Sequence, residues 1–171
     1  MSRAFFAAAL LCVAACTPTL NWRESTLEPS GLHAMFPCKP DRVEHKVELA
    51  PGRPLVLHAV GCEAGGATFV VLQGDVGDIA VLPEAMAQWK KASLASMKSA
   101  GGSEQPWRPA GSLDLQQSAM VRASGQSPNG KPLQTQAAYF ARGTSMFQAA
   151  IYAREVNAEM SEPFFTGLRF E

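Results

Sequence analysis

The most constraining feature of this sequence is an apolar stretch near its N-terminus, residues 4–15, which follows a single positive charge at Arg3. A membrane-crossing helix needs about 20 apolar residues. Here the polar residues Thr17 and Pro18 come too early for that length. A short apolar segment after a basic residue is typical of a signal peptide. The sequence therefore predicts that the protein is exported and that residues 1–15 are its signal peptide.

The end of this stretch reads Val13, Ala14, Ala15, Cys16. It resembles the lipobox of bacterial lipoproteins, in which the cysteine is diacylated and becomes the mature N-terminus. The resemblance implies a lipid anchor at Cys16. Because Thr17 rather than aspartate follows the cysteine, it also implies an outer-membrane location with the body facing the periplasm. The alternative is ordinary secretory cleavage, which would leave a plain thiol at Cys16.

The segment after Cys16 is predicted to be a tether covering residues 16–30. It lacks the alternation of a strand and ends in turn-forming residues around Pro29. Residues 31–171 then have the length of one globular domain with a single core. Trp22 is expected to dock on that domain, although a tryptophan close to a membrane could instead sit at the lipid interface.

The charge balance argues against a nucleic acid partner. The whole chain has 15 Lys and Arg against 15 Asp and Glu, so its formal net charge is zero. Neutralising phosphates requires clustered basic residues, and the sequence has no such cluster. With 47% hydrophobic and 18% charged residues, the chain has the composition of a globular protein.

The cysteines predict a disulfide between Cys38 and Cys62. Cys12 would leave with the signal peptide and Cys16 would carry lipid, so one pair remains in an oxidising compartment. The alternative is a redox or metal site. That alternative would require a CxxC pair or cysteines and histidines at ligand spacing, and the sequence has neither.

Hydrophobic alternation in the first half of the domain predicts four antiparallel strands. They cover residues 32–36, 42–49, 55–62 and 68–73. The odd-numbered positions of 42–49 are predicted to face the core. A turn at residues 63–66 makes the last two strands a hairpin.

The second half predicts two helices and further strands. A helix over residues 83–100 would end at a pair of glycines, and a strand with a bulge would cover 111–124. Residues 133–142 and 145–154 form the most apolar hairpin, so we expect it to be central in the sheet. A short helix is predicted around 159–167.

This element order predicts an α+β domain, with an antiparallel sheet covered by one long helix and one short C-terminal helix. Several positions have a recognisable pattern: the glycines that end the long helix, the aromatic hairpin, and Gly31, Leu32, Phe36, Pro37, Phe164, Phe165, Gly167 and Leu168. Through these positions the chain resembles the PsbP-like or Mog-type fold over residues 31–171. The Cys38 and Cys62 pair is not part of that pattern. The resemblance implies a non-catalytic binding or accessory protein, because most members of that group have such a role.

Candidate catalytic residues are few. The sequence has no GxSxG or HExxH motif, and its three histidines, His33, His45 and His58, all lie in predicted strands. Alternating strands already account for such histidines, so no cofactor or metal is expected. A catalytic or metal site would have to combine them with scattered carboxylates such as Asp41, Glu63 and Asp75.

The sequence therefore favours a periplasm-facing lipoprotein of the outer membrane that acts by binding. Its expected partner is another component of the cell envelope. The alternative is an enzyme or metal-binding protein that uses His33, His45 and His58 with nearby carboxylates.

Overall fold

The computed structural model of the protein describes residues 19–50 and 52–171. The predicted signal peptide and Cys16 lie outside the described residues. The predicted α+β class is confirmed, because two helices accompany mostly antiparallel sheet. The helices are α1 (Leu82–Ser96) and α2 (Ala158–Thr166). The strands are β1 (Arg23–Leu27), β2 (Leu32–Phe36), β3 (Asp41–Ala50), β4 (Arg53–Ala64), β5 (Ala67–Asp75), β6 (Gly102–Pro106), β7 (Ala119–Gln126), β8 (Pro132–Arg142), β9 (Ser145–Ala153) and β10 (Arg169–Phe170).

The strands form two sheets. The large sheet has seven strands in the order β3-β4-β5-β9-β8-β7-β6, and the small sheet has three in the order β1-β2-β10. The apolar hairpin of β8 and β9 is central in the large sheet, as predicted. By contrast, the four consecutive strands predicted in the first half are divided between the two sheets, because β2 pairs with β1 and β10 instead of β3.

Both faces of the large sheet are covered. Successive residues of a strand point to opposite faces. In β9, Phe147 packs in the cluster that contains α2 and the small sheet, whereas Met146 packs in the cluster that contains α1. The long helix therefore covers one face, and the short helix and the small sheet cover the other.

The predicted tether is shorter than expected. Strand β1 lies inside residues 16–30, and Leu27 is fully buried against the core. Trp22 docks as predicted, with its ring 5.7 Å from that of Phe69 in an edge-on contact. Strand β1 could not be recognised from its polar sequence, because only one end of the strand reaches the core.

Strand β3 is an edge strand whose predicted inward face is largely open. Val43 is 51% exposed and His45 is exposed, although both have the parity of the face that α1 covers. The helix does not extend far enough across the sheet to bury them. The alternation was therefore read correctly, but the burial inferred from it was wrong.

Residues 111–124 do not form the single bulged strand that was predicted. A regular strand begins only at Ala119, and the irregular segment before it places Leu113 and Leu115 half-buried beside the α1 cluster. Strand β6 was missed because every residue of its sequence, GSEQP, is exposed. No helix in the described part of the chain is long and apolar enough to cross a membrane.

The helix α1 ends earlier than predicted, in a left-handed cap formed by a lysine. Lys98 has a φ of 52°. Its N–H donates to the carbonyl of Ala95 at 2.9 Å, and the N–H of Ser99 donates to the carbonyl of Leu94 at 3.1 Å. These two bonds form a Schellman motif, in which glycine is usually found at the left-handed position.

The substitution Lys98→Gly should stabilise the protein by about 1 kcal/mol, because glycine adopts this conformation without the steric cost of a Cβ. Lys91→Gly, at an exposed position inside α1, should lower the stability by about the same amount. Urea unfolding of both variants measures these changes. A loss of stability in Lys98→Gly equal to that in Lys91→Gly would contradict the assignment of the cap.

Candidate functional site

The two remaining cysteines form the predicted disulfide. Cys38, just after β2, is bonded to Cys62 in β4, with their Cα atoms 6.0 Å apart. The bond joins the small sheet to the large one and closes a loop that contains β3. The lipid attachment predicted at Cys16 lies outside the described residues.

The three histidines do not converge. His33, in the small sheet, has its Nδ1 3.2 Å from Glu24 Oε1 and its Nε2 3.1 Å from Glu171 Oε1. His45 is exposed on the edge strand β3. His58, in β4, has its Nδ1 3.2 Å from Glu44 Oε1. Within residues 19–50 and 52–171, no group of three or more His, Cys, Asp or Glu could hold a metal ion.

The carboxylates expected to join these histidines in a catalytic or metal site also lie apart from one another. Asp41 and Glu63 lie toward the end of β4 that carries the Gly65 turn. Asp75 lies at the opposite end of the large sheet and belongs to a local turn. A hydrogen bond from the Thr144 side chain, and a second from the Gly77 N–H at 2.8 Å, lower the pKa of Asp75 below its usual value.

The cluster around His33 fastens the small sheet. Glu24 contacts both His33 and Arg169, whose Nη2 lies 2.6 Å from Glu24 Oε2. The hydrogen bonds from Arg169 and then from His33 lower the pKa of Glu24. Because these residues come from β1, β2 and β10, their side-chain contacts connect all the strands of this sheet.

The most distinctive site is a cleft of about 550 Å³ between the β1–β2 turn and the edge of the large sheet. Leu27 and Glu28 line it from the turn. From the large sheet it is lined by Arg42, Glu44, His58, Val60 and Gln73, among others. We call it the Gln73 cleft.

Strand register explains why these side chains meet. Glu44 pairs with His58, and His58 pairs with Gln73, so the three lie in one row across β3, β4 and β5. Arg42 and Val60 form the start of the next row on the same face. Directly paired residues have Cβ atoms about 5 Å apart, so His58 lies beside both Glu44 and Gln73, whereas Glu44 and Gln73 are about twice as far from each other.

Gln73 is the most buried of the polar residues that line the cleft. Its side chain is only 4% exposed. Its Oε1 is buried and has no hydrogen-bond partner among the residues that the structure describes. An unpaired buried acceptor costs about 1–3 kcal/mol. The oxygen has almost no accessible surface, so it lies behind the surface of the cleft and lowers the stability of the fold instead of contacting a molecule in the cleft.

The rim of the cleft is charged. Glu28 and Glu44 are exposed carboxylates, and Arg42 donates from Nη2 to the carbonyl of Thr26 at 3.0 Å. That bond holds the guanidinium beside the β1–β2 turn. The rim of the cleft thus combines carboxylates with one guanidinium.

A second buried glutamine, Gln148 in β9, shows the contrasting arrangement. Its Nε2 lies 2.9 Å from Tyr139 Oη, 3.4 Å from Tyr152 Oη and 3.3 Å from Ser93 Oγ, beneath α1. Burial raises the pKa values of both tyrosines. Since Gln148 is 1% exposed and well paired, it belongs to the packing between helix and sheet.

A polar groove lies between α2 and strands β6 to β8, on the face of the large sheet that also carries the Gln73 cleft. It is less distinctive than that cleft. Arg122 and Gln136 line it, and they bond to each other, with Arg122 Nε 3.2 Å from Gln136 Oε1. The Gln136 Nε2 also lies 3.6 Å from the sulfur of Met120. The Gln136 amide at the centre of this groove therefore already has hydrogen-bond partners.

Sequence reasoning named His58 but not Gln73 or Arg42. A signal for Gln73 was present, because it shares the inward parity of Phe69 and Val71 in a predicted strand. A polar residue at an apolar position of a strand is a candidate for a specific role. No such signal marks Arg42. No family model, curated protein or solved structure significantly matches the chain.

Gln73→Leu should raise the free energy of unfolding by about 1 kcal/mol or more, because it removes an unpaired buried acceptor with little change of volume. The matched substitution Gln148→Leu should lower it by about 1–3 kcal/mol, because it removes a donor shared by buried hydroxyl groups. Denaturant unfolding of both variants tests the difference. Equal destabilisation would mean that Gln73 has a partner in the folded protein.

Proposed function

We propose that this protein is a lipoprotein of the outer membrane that faces the periplasm and acts by binding, without catalysis. The residues Val13, Ala14, Ala15 and Cys16 support the anchor. A disulfide-bonded body suits an oxidising compartment such as the periplasm. The observation that carries the binding role is the cleft of about 550 Å³ between the β1–β2 turn and the edge of the large sheet.

The Gln73 cleft favours a small ligand over a protein partner. It is a concave site of about 550 Å³ with a charged rim, and this shape suits a small molecule better than a flat protein surface. A catalytic role for His33, His45 and His58 has no comparable support, since these residues lie in separate surroundings. We therefore propose the binding role and not the catalytic one.

We also propose that the domain is of the PsbP-like or Mog-type fold. An antiparallel sheet with a long helix on one face supports this assignment. The small sheet β1-β2-β10 was not part of the predicted element order, so a comparison of experimental coordinates should concentrate on it.

The first residues that the structure describes imply how the body would lie on the membrane. Leu20 packs at the β4–β5 turn, where a Cβ on Gly65 would be 3.2 Å from its Cδ2. Only three residues separate Cys16 from Leu20. An extended chain of that length spans roughly 14 Å from Cα to Cα. The Gly65 turn would therefore face the membrane.

The Gln73 cleft would then face away from the lipid. Gln73 is the seventh residue after Gly66, which corresponds to about 23 Å along the strand. The register of β4 with β5 carries His58 to the same level. A ligand in the periplasm could therefore enter the cleft while the body is held close to the bilayer.

Replacing Cys16 by Ala should release the protein from the membrane fraction, because the acyl chains would have no attachment point. Cell fractionation and the mass of the mature protein measure the effect. Cys12→Ala is the matched control and should leave the protein attached. A wild-type protein whose mature N-terminus is an unmodified Cys16 would refute the lipoprotein assignment.

The orientation predicts different depths for two exposed positions of β4. A fluorophore attached through Glu63→Cys should be quenched by nitroxide-labelled lipids when the acylated protein is in vesicles. The same fluorophore attached through Val56→Cys lies about 23 Å along the strand and should be quenched much less. Equal quenching at the two positions would contradict the proposed orientation.

A further inference from the structure

The free edge of the large sheet has a charge pattern that is complementary to itself. Strand β3 lies at one end of the strand order, so its outer side has no neighbouring strand among those that the structure describes. We propose that two copies of the protein pair along this edge, with their β3 strands antiparallel and His45 opposite His45 of the second copy. This inference does not depend on the proposed binding of a small ligand.

The charges of β3 select this register. Four exposed residues alternate in sign along one face of the strand, namely Arg42, Glu44, Lys46 and Glu48. When His45 lies opposite its own copy, Glu44 lies opposite Lys46 of the second copy. Farther along, Arg42 lies opposite Glu48 of the second copy. The two-fold symmetry repeats both pairs. Every charge on this face therefore meets an opposite charge, which stabilises the pairing of two strands.

The neighbouring registers bring like charges together. A shift of two residues is the smallest that keeps the same faces of the strands together. In one direction this shift places Glu44 opposite itself and Arg42 opposite Lys46. In the other direction it places Lys46 opposite itself and Glu44 opposite Glu48. Like charges directly opposite each other destabilise a strand pair. Charges on an edge strand generally discourage association with other chains, and here they favour one register over its neighbours.

The opposite face of β3 supports the same register. There Val43 lies opposite Val47 of the second copy. Val43 is 51% exposed, and Val47 is half-buried beside the α1 cluster. Pairing would remove apolar surface of Val43 from water. It would also provide hydrogen-bond partners for the outward N–H and C=O groups of the edge strand.

The four charged side chains have groups available for these contacts. Lys46 and Glu48 take part in no salt bridge within residues 19–50 and 52–171. Glu44 uses Oε1 for its contact with a histidine, so its Oε2 can accept from a lysine. Arg42 donates from Nη2 to a backbone carbonyl. A guanidinium has five N–H donors, so most of them remain for a carboxylate.

The resulting assembly is a closed and weak dimer. The joined sheet has seven strands from each copy, and it cannot extend further at β3 because each β3 occupies the other. One pair of strands buries less surface than a typical stable complex does. We therefore expect a dissociation constant of roughly micromolar or higher.

The antiparallel pairing inverts one copy relative to the other along the strands. The Gly65 turns of the two copies therefore lie at opposite ends of the joined sheet. In the proposed membrane orientation, every copy in a bilayer points its Gly65 turn at the same lipid surface. Attachment to a bilayer would thus prevent the pairing, whereas copies in separate detergent micelles would be able to pair.

Cysteine cross-linking of the full-length acylated protein in detergent micelles tests the register. His45→Cys places two thiols opposite each other, so a mild oxidant should link the protein into dimers at a concentration of roughly 100 μM. Val43→Cys is the matched control on the same face. Residue 43 of the second copy lies opposite Val47, four residues or about 13 Å along the strand from Val43, so this variant should link much less. Equal linking of the two variants, or no linking of His45→Cys, would overturn the proposal.

A charge exchange tests the complementarity in the His45→Cys protein. Lys46→Glu places carboxylates opposite each other at two points, and Glu44→Lys does the same with ammonium groups. Each should weaken dimer formation roughly tenfold or more. The double variant carrying both substitutions restores opposite charges and should recover the dimer. A double variant that pairs as weakly as the single variants, with its fold verified by circular dichroism, would overturn the register.

The same cross-link in vesicles separates this proposal from the membrane orientation. His45→Cys should link much less in vesicles than in micelles. Linking in both would support the pairing and reject the orientation in which the Gly65 turn faces the membrane. Linking in neither would overturn the pairing and leave the lipoprotein assignment to its own test.

Discussion

Burial of the central strands on both faces is the constraint on which the rest of the structure depends. From Met146 to Ile151, every residue of β9 is buried, and the neighbouring strand β8 is similar from Thr135 to Ala141. A strand that is apolar on both faces needs a cover on each side. The helix α1 supplies one cover. The other is assembled from both ends of the described chain, because β1 and β2 come from its start and α2 and β10 from its end.

The covers on the two faces also determine whether buried polar groups in the sheet find hydrogen-bond partners. Gln148 lies under α1, and the helix and two tyrosines supply its partners. Gln73 lies where the narrower three-stranded cover ends over a seven-stranded sheet. Its oxygen is buried but unpaired within the described residues. Two chemically identical side chains thus differ in their effect on stability, since Gln148 forms buried hydrogen bonds and Gln73 leaves its buried oxygen unpaired.

The disulfide and the edge strand complete this arrangement. Cys38 and Cys62 join the end of β2 to β4, so the small sheet is fastened to the large one beside the strands that line the cleft. The closed loop contains β3, an open edge that other chains could extend by pairing. Its alternating charged residues, such as Arg42, Glu44 and Lys46, discourage such pairing with unrelated strands. Two of these charges also line the Gln73 cleft, so the same residues protect the edge and form the rim.

Local patterns in the sequence determined the elements that depend on near neighbours. The β4–β5 hairpin follows from Gly65 and Gly66, whose positive φ values of 61° and 74° suit a two-residue turn. The apolar β8–β9 hairpin and the positions of both helices were predictable in the same way. The cysteine pairing was predictable for another reason, because only Cys38 and Cys62 remained to form a bond. Only the tertiary structure decided which strands share a sheet and where each cover ends, because these depend on contacts between distant parts of the chain. Alternation placed Val43 on the correct face but could not show that α1 stops short of it. The Gln73 cleft could not be predicted from the sequence either. Distant parts of the fold decide whether a hydrogen-bond donor lies beside the Gln73 oxygen, and none of the described residues provides one.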